Sequence, residues 1–225
     1  MLLKPHTIIL LLSSVVQAQG FNIDIGPASA TVPGAMCAGA AGQPGYWNGL
    51  SGTTTLADLS GGLTSVVAAT SLSLGSLPIP GAAPGDKELM ESMLFGDRNS
   101  TAQVGVQGLA PGVYRLYVYG WSPFDDPNPT MSRIAIDETT SGSFQIVETH
   151  FNNIWSGHVS GVTFATSEIE VQATGGLLLF TLLSLGNGED SPVSVLNGIQ
   201  IVPIPAPTTA VMALVLWPLA SCRRR

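Results

Sequence analysis

The sequence is short of cysteine, of basic side chains and of histidine, and each shortage excludes something. Only two cysteines occur in 225 residues, Cys37 in a Gly/Ala-rich stretch and Cys222 near the C-terminus. Neither a disulfide framework nor a cysteine-type metal site can be built from Cys37 alone. Lys4 and Arg223 to Arg225 lie at the ends, which leaves Lys87, Arg98, Arg115 and Arg133 against fifteen acidic residues, a balance of −11. So acidic a chain repels phosphate backbones, which excludes nucleic acid as a partner. His150 and His158 are spaced by eight, which fits no metal-ligand pattern. Catalytic signatures are missing too: there is no Gly-x-Ser-x-Gly elbow, no His-Glu-x-x-His and no phosphate-cradling glycine loop. The expectation is a protein that is not an enzyme and has no catalytic residues.

What the sequence does have is glycine (26), proline (16) and a hydrophobic fraction of 45%. Frequent turn residues with enough apolar side chains to offset ordering entropy indicate many short strands around a core. Between the two ends there is length for one domain, residues 19–203.

Both ends read as processing segments. Lys4 gives a positive start, Ile8 to Val16 is apolar apart from Ser13 and Ser14, and Val16-Gln17-Ala18 offers a cleavage site. Residues 1–18 are therefore expected to be a signal peptide, removed by signal peptidase during export. At the other end, Pro203-Ile204-Pro205-Ala206-Pro207 is a stiff extended segment, followed by an apolar run from Thr208 to Cys222 and then Arg223-Arg224-Arg225. Fifteen helical residues rise about 22 Å, short of a hydrocarbon core of about 30 Å, so the run suits a transient membrane stop held by its arginines.

The strand signals come in order along residues 19–203. Phe21-Asn22-Ile23-Asp24-Ile25 alternates as a half-buried strand would. Leu63 to Leu74 reads as one strand or two. The segment Asp86 to Gly96 is the single helix candidate, capped by Asp86 and stopped by Gly96, with Leu89, Met90, Met93 and Leu94 as a core stripe. Val104 to Leu109, the turn Ala110-Pro111-Gly112 and Val113 to Trp121 form an expected hairpin with an apolar central strand. Further strands are expected at Ser132 to Ile136, Phe144 to Glu148, Val159 to Ala165, Glu168 to Ala173, Leu177 to Leu183 and Val195 to Val202. The first and last strands, with Ile23 and Ile25 matched to Ile199 and Ile201, are expected to pair. Together these give an all-β, antiparallel β-sandwich with one short helix.

Two resemblances follow from these residues. Pro205-Ala206-Pro207, the apolar segment and the arginine cluster resemble the PEP-CTERM sorting signal of Gram-negative bacteria, with Ala206 where that family usually has Glu. The resemblance implies recognition of residues 204–225 through Pro205, Pro207, Arg223, Arg224 and Arg225 by an exosortase-type enzyme. It further implies membrane contact before processing and a final place at the cell surface or in the extracellular matrix. The patterns Phe-x-Ile-Asp-x-Gly, Gly-Leu-x-Pro-Gly-x-Tyr-x-Leu-Tyr-x-Tyr and Leu196-Asn197-Gly198-Ile199-Gln200-Ile201 resemble galactose-binding-like jelly rolls. Many carbohydrate-binding modules share that fold, often with a structural calcium.

Sugar rings stack on aromatics while their hydroxyls seek carboxylates or amides. Three sets offer this: Tyr46, Trp47 and Asn48; Trp121 with Asp125 and Asp126; and Asn152, Asn153 and Trp155. Interior packing is the stronger reading for Trp47 and Trp121. Asp125-Asp126 is the one carboxylate pair a glycosidase could use, though flanking prolines make it read as a turn. Calcium candidates are Asp24, Asp125 and Asp126, without the regular acidic spacing of a dedicated loop. The expected role is binding of an extracellular polysaccharide, with a structural matrix component lacking any ligand as the alternative.

Overall fold

Period-two segments rich in Val, Ile, Leu, Thr and Tyr become strands because β-branched and aromatic side chains fit a pleated surface packed on one face. The computed structural model describes residues 18–71, 74–96, 102–122, 131–150, 155–172, 176–183 and 194–205. In chain order its elements are β1 (Phe21–Ile25), β2 (Trp47–Leu50), β3 (Thr53–Ala57), β4 (Leu63–Thr70), β5 (Leu74–Ser76), α1 (Asp86–Glu91), β6 (Ser92–Gly96), β7 (Gln103–Gln107), β8 (Gly112–Tyr119), β9 (Met131–Glu138), β10 (Ser143–His150), β11 (Phe164–Val171), β12 (Leu177–Leu182), β13 (Ser194–Leu196) and β14 (Gly198–Ile204). The signal-peptide segment up to Gln17 and the tail from Ala206, including Pro207 and Arg223 to Arg225, lie outside the described residues, as do Asp125, Asp126, Asn152 and Asn153.

The architecture is a β-sandwich. One sheet has the order β11-β8-β14-β1-β2, the other β10-β9-β12-β7-β4-β3, and a small third sheet has the order β13-β6-β5. Pairing is antiparallel except between β1 and β2, which run parallel from Asn22↔Trp47 to Ile25↔Leu50. First and last strands pair as expected, with Phe21↔Ile201 and Ile23↔Ile199 in register. Between the two large sheets lies the main core, which includes Phe21, Ile23, Leu116, Val118, Ile134, Ile136, Leu178, Phe180, Ile199 and Ile201. Each such side chain contributes roughly 1.5–3 kcal/mol on burial.

Several expectations are corrected. The hairpin around Ala110-Pro111-Gly112 does not form. β7 pairs with β4 and β12, whereas β8 pairs with β11 and β14, so this turn carries the chain from one sheet to the other. Gly108 makes the corner, with φ of 92° and a Cβ position only 3.1 Å from the Ser65 carbonyl oxygen. The Tyr114 hydroxyl then donates to the Ala110 carbonyl at 2.7 Å and closes it. The helix is also shorter than its apolar stripe. α1 ends at Glu91, its cap is Gly85 rather than Asp86, and Met93, Leu94 and Gly96 belong to β6. The stripe nevertheless packs inside, as expected. Val159 to Ala165 and Glu168 to Ala173 are not two strands; β11 takes only Phe164 and Ala165 of the first and Glu168 to Val171 of the second, with Glu168 and Glu170 exposed.

β1 is not half-buried, because all five of its residues are buried. The inward face meets the main core; Asn22 and Asp24, on the opposite face, lie beneath the loop of residues 26–46 rather than in water. That loop, α1 and residues 155–163 surround a second apolar cluster containing Trp47, Leu89, Met90, Met93, Tyr119, Trp121 and Val195. The five-stranded sheet is thus covered on both faces over much of its area, while among the described residues the six-stranded sheet keeps one face open.

Candidate functional site

The predicted aromatic sites divide according to this covering. Trp47 is 3% exposed, and its indole N–H donates to the Cys37 carbonyl at 2.9 Å. Asn48 is buried and committed: its amide donates to the carbonyls of Asn22 and Ala57, and its oxygen accepts from the Ala57 N–H. Trp121 is 1% exposed. Trp47, Asn48 and Trp121 are therefore interior residues, which removes them as sugar platforms. Trp155 is half-buried, edge-on to Trp121 and to His158 with ring centroids 5.5 Å away in both cases. Of the first set only Tyr46 stands in solvent, at 48% exposure.

His158 Nε2 lies 3.0 Å from Asp86 Oδ1, tying the segment after Trp155 to the start of α1. Tyr119 packs edge-on beneath the imidazole. The nearby Cys37 thiol is pushed above its ordinary pKa, chiefly by burial, so it is held as a thiol rather than as a nucleophilic thiolate.

A buried amide network fixes the covering loop to the sheet. Asn22 Oδ1 accepts from Gln43 Nε2 and from Gln200 Nε2, both at 2.9 Å. Gln200 Oε1 accepts from the Tyr119 hydroxyl at 2.5 Å and the Ala41 N–H at 3.2 Å, and the same hydroxyl accepts from the Ala40 N–H at 2.6 Å. Burial pushes the Tyr119 phenol far above the usual tyrosine range. Nearby, Asn197 donates to the carbonyls of Met90 and Ser92 and accepts from the Trp121 N–H, joining α1, β6 and the end of β8. The polar alternants of the first and last strands are structural.

Asp24 was the calcium candidate among the described residues. Its carboxyl is 1% exposed, with Oδ1 lacking any hydrogen-bond partner. Burial, reinforced by the charge of Glu88, holds its pKa well above the usual carboxylate range. A calcium ion takes six to eight oxygen ligands, yet no group of three His, Cys, Asp or Glu side chains converges anywhere among the described residues. Glu88 is engaged with the Gly85 N–H at the helix start. Among the described residues a calcium ion at Asp24 would have no cluster of side-chain ligands and would depend on backbone carbonyls.

The open face of the six-stranded sheet was not singled out from sequence. Its registers define rows running across the strands. Phe144 opposes Asp137, Asp137 opposes Leu179, Leu179 opposes Gly105, Gly105 opposes Ala69 and Ala69 opposes Thr53. At about 4.8 Å per strand the row spans about 24 Å. A second row contains Ile146, Ala135, Thr181 and Gln103, and a third Leu177, Gln107, Val67 and Thr55. Phe144 is 62% exposed and Ile146 41%. β12, β7, β4 and β3, which are adjacent in the sheet, contain no ionisable side chain. Charge returns only on β9 and β10, where Arg133 meets Glu148 at 3.0 Å. The signal was available as a pattern of absences: residues 59–85, 102–114 and 171–188 carry no charged or histidine side chain in an otherwise acidic chain.

No protein-family model matches the chain, and no curated protein matches its sequence. Among solved structures it is similar to the ANXUR2 extracellular domain from Arabidopsis thaliana, with TM-score 0.41 and 10% identity over 83% of this chain and 42% of that one. It is also similar to the CBM36-1 domain of a multidomain xylanase from the hindgut metagenome of Trinervitermes trinervoides, with TM-score 0.32 and 15% identity over 63% and 99% of the two chains. A third similarity is to TmCBM61, solved in complex with β-1,4-galactotriose, with TM-score 0.26 and 14% identity over 62% and 85%. The match takes in a little over two fifths of the ANXUR2 domain's length. At these scores the likeness assigns neither family nor ligand.

Proposed function

We propose that this chain is exported and acts outside the cytoplasm as a non-catalytic β-sandwich that binds a neutral polysaccharide through the open face of its six-stranded sheet. The observation that carries the reading is the run of four adjacent strands without an ionisable side chain, in a chain of net charge −7. Covering a charged surface strands ions away from water, whereas an uncharged face is covered at far lower cost. Leu177, Leu179, Ile146 and Phe144 supply apolar surface for the C–H faces of sugar rings. Thr53, Thr55, Gln103, Gln107 and Thr181 supply hydroxyl and amide groups that both donate and accept hydrogen bonds, as sugar hydroxyls require. The reading keeps residues 1–18 as a signal peptide and 204–225 as a tail processed by an exosortase-type enzyme at the envelope.

Affinity electrophoresis through gels containing xylan, galactan, dextran or alginate tests the binding. Retardation by at least one neutral polymer is expected, with little change between low and high salt because no ion pairing is involved. Leu179→Lys and Phe144→Ala, both on the open face, should weaken it at least about tenfold (about 1.4 kcal/mol). Absence of retardation by every neutral polymer would favour the alternative of a structural matrix component without a ligand. Mass spectrometry of the surface protein tests the sorting: a mature product retaining Arg225 speaks against processing of the tail.

A further inference from the structure

Asp137 is the one ionisable side chain in the row that crosses the six-stranded sheet from Phe144 to Thr53. Ile136 and Glu138 on either side of it are buried in the sandwich, so alternation places Asp137 on the open face. Phe144 on β10 and Leu179 on β12 are its cross-strand neighbours, and directly opposed residues hold their Cβ atoms about 4.5–5.5 Å apart. Glu138 fixes this pairing. Its carboxylate accepts from the Thr140 hydroxyl and the Ser141 N–H, which clamps the turn between β9 and β10.

Asp137 itself is half-buried, and among the described residues no hydrogen bond or ion pair engages its carboxylate. Its oxygens are not among the unpartnered atoms sealed from solvent, in contrast to Asp24 Oδ1. The next charges along this face, Arg133 and Glu148, pair with each other. They lie four residues along β9, about 13 Å away at 3.3 Å per residue, beyond a screening length of about 8 Å. An ionised carboxylate accepts and cannot donate, so this reachable, unengaged group between an aromatic and an aliphatic side chain calls for a neutral donor.

We propose that Asp137 is a specificity-determining group of the open face, accepting a hydrogen bond from a hydroxyl of a sugar ring that lies on Phe144 and Leu179. This inference rests on polysaccharide binding by that face and narrows the ligand class. It selects polymers that present free hydroxyls to the sheet, because a site built around such a bond rejects the analogue that lacks it. It also rejects polyuronates, whose carboxylates would meet a like charge in a row with no basic side chain.

Affinity electrophoresis of the full chain tests it, using whichever of galactan, xylan and dextran retards the wild type, the same polymer after O-methylation, and alginate. The wild type should prefer the native polymer over both other probes by at least about tenfold. Asp137→Leu, which keeps the size and removes the acceptor, should weaken the native polymer at least about tenfold and abolish the preference over its methyl ether. Asp137→Asn, which keeps an acceptor oxygen, should bind at least about threefold better than Asp137→Leu. Urea unfolding of both variants separates loss of the site from loss of the fold; should Asp137→Leu not fold, Asp137→Asn and the methylated polymer carry the test. Native binding by Asp137→Leu equal to the wild type, Asp137→Asn no better than Asp137→Leu, or equal binding of the methyl ether or alginate by the wild type would overturn this inference and leave polysaccharide binding standing. No retardation of the wild type by any neutral polymer would overturn both.

Discussion

Replacing Gln200 with alanine tests whether the covering loop is held by specific hydrogen bonds or merely rests on the sheet. Gln200 is fully buried, and its amide joins five partners: the Tyr119 hydroxyl, the Ala41 N–H, Asn22 Oδ1 and the carbonyls of Ala38 and Gln43. Truncation removes all five bonds and strips their partners in a site closed to solvent. An unpaired buried polar group costs about 1–3 kcal/mol, but water entering the vacated space recovers part of that. Tyr119 also keeps its bond from Ala40. The expected loss is therefore about 3–5 kcal/mol, a fall in Tm of roughly 10 °C at 2–4 °C per kcal/mol for a domain of this size. Urea unfolding followed by the fluorescence of the buried Trp47 and Trp121 reads it directly. Asn22→Ala should be non-additive with Gln200→Ala by about 0.5–3 kcal/mol, since both act on one network. A loss below about 1 kcal/mol, or strict additivity, would refute the reasoning.

Three further outcomes follow from particular residues. Gly39→Ala should destabilise by at least about 2 kcal/mol, because its φ of 55° disfavours a side chain and the new Cβ would collide with Gln200 and with the Tyr119 hydroxyl; an unchanged melting temperature speaks against the tight loop contact. Asp24 is protonated more readily in the folded chain than in the unfolded one, so its contribution to folded stability is greatest below the unfolded carboxylate pKa of about 3.9 and declines as pH rises toward the elevated folded value. Urea midpoints of the wild type should fall relative to Asp24→Asn across that window, and a relative rise contradicts the assigned direction. Trp121→Ala should cost about 3–5 kcal/mol through loss of a fully buried side chain, whereas Trp155→Ala, half-buried, should cost clearly less by the same urea assay; equal losses would contradict the burial difference.

The sandwich was legible because alternation marks which residues share a face: β1 and β14, β10, β11 and β12 all follow it. What alternation does not report is what covers that face. Asn22, Asp24 and Gln200 have the spacing of solvated residues, yet they lie beneath residues 26–46 because amides there find one another and backbone partners. Pro111-Gly112 has the chemistry of a hairpin turn, but Tyr114 and the bend at Gly108 make it a corner between sheets. Trp47 and Trp121 drew attention as binding groups, and their large apolar area is the reason they are inside. The open face was overlooked for the opposite reason, since the neutral side chains of β3, β4, β7 and β12 carry no motif; only the absence of charge on those four strands marks it.

The most direct test of polysaccharide binding by the open sheet is methyl-resolved NMR during titration with whichever neutral polymer retards the protein. The account predicts that the methyl signals of Leu177, Leu179, Thr181, Ile146 and Val67 shift together and saturate, while those of the main core, such as Leu116 and Ile199, stay in place. Saturable shifts confined to the surroundings of Trp155 and Tyr46, with the β12 and β4 methyls unmoved, would contradict it.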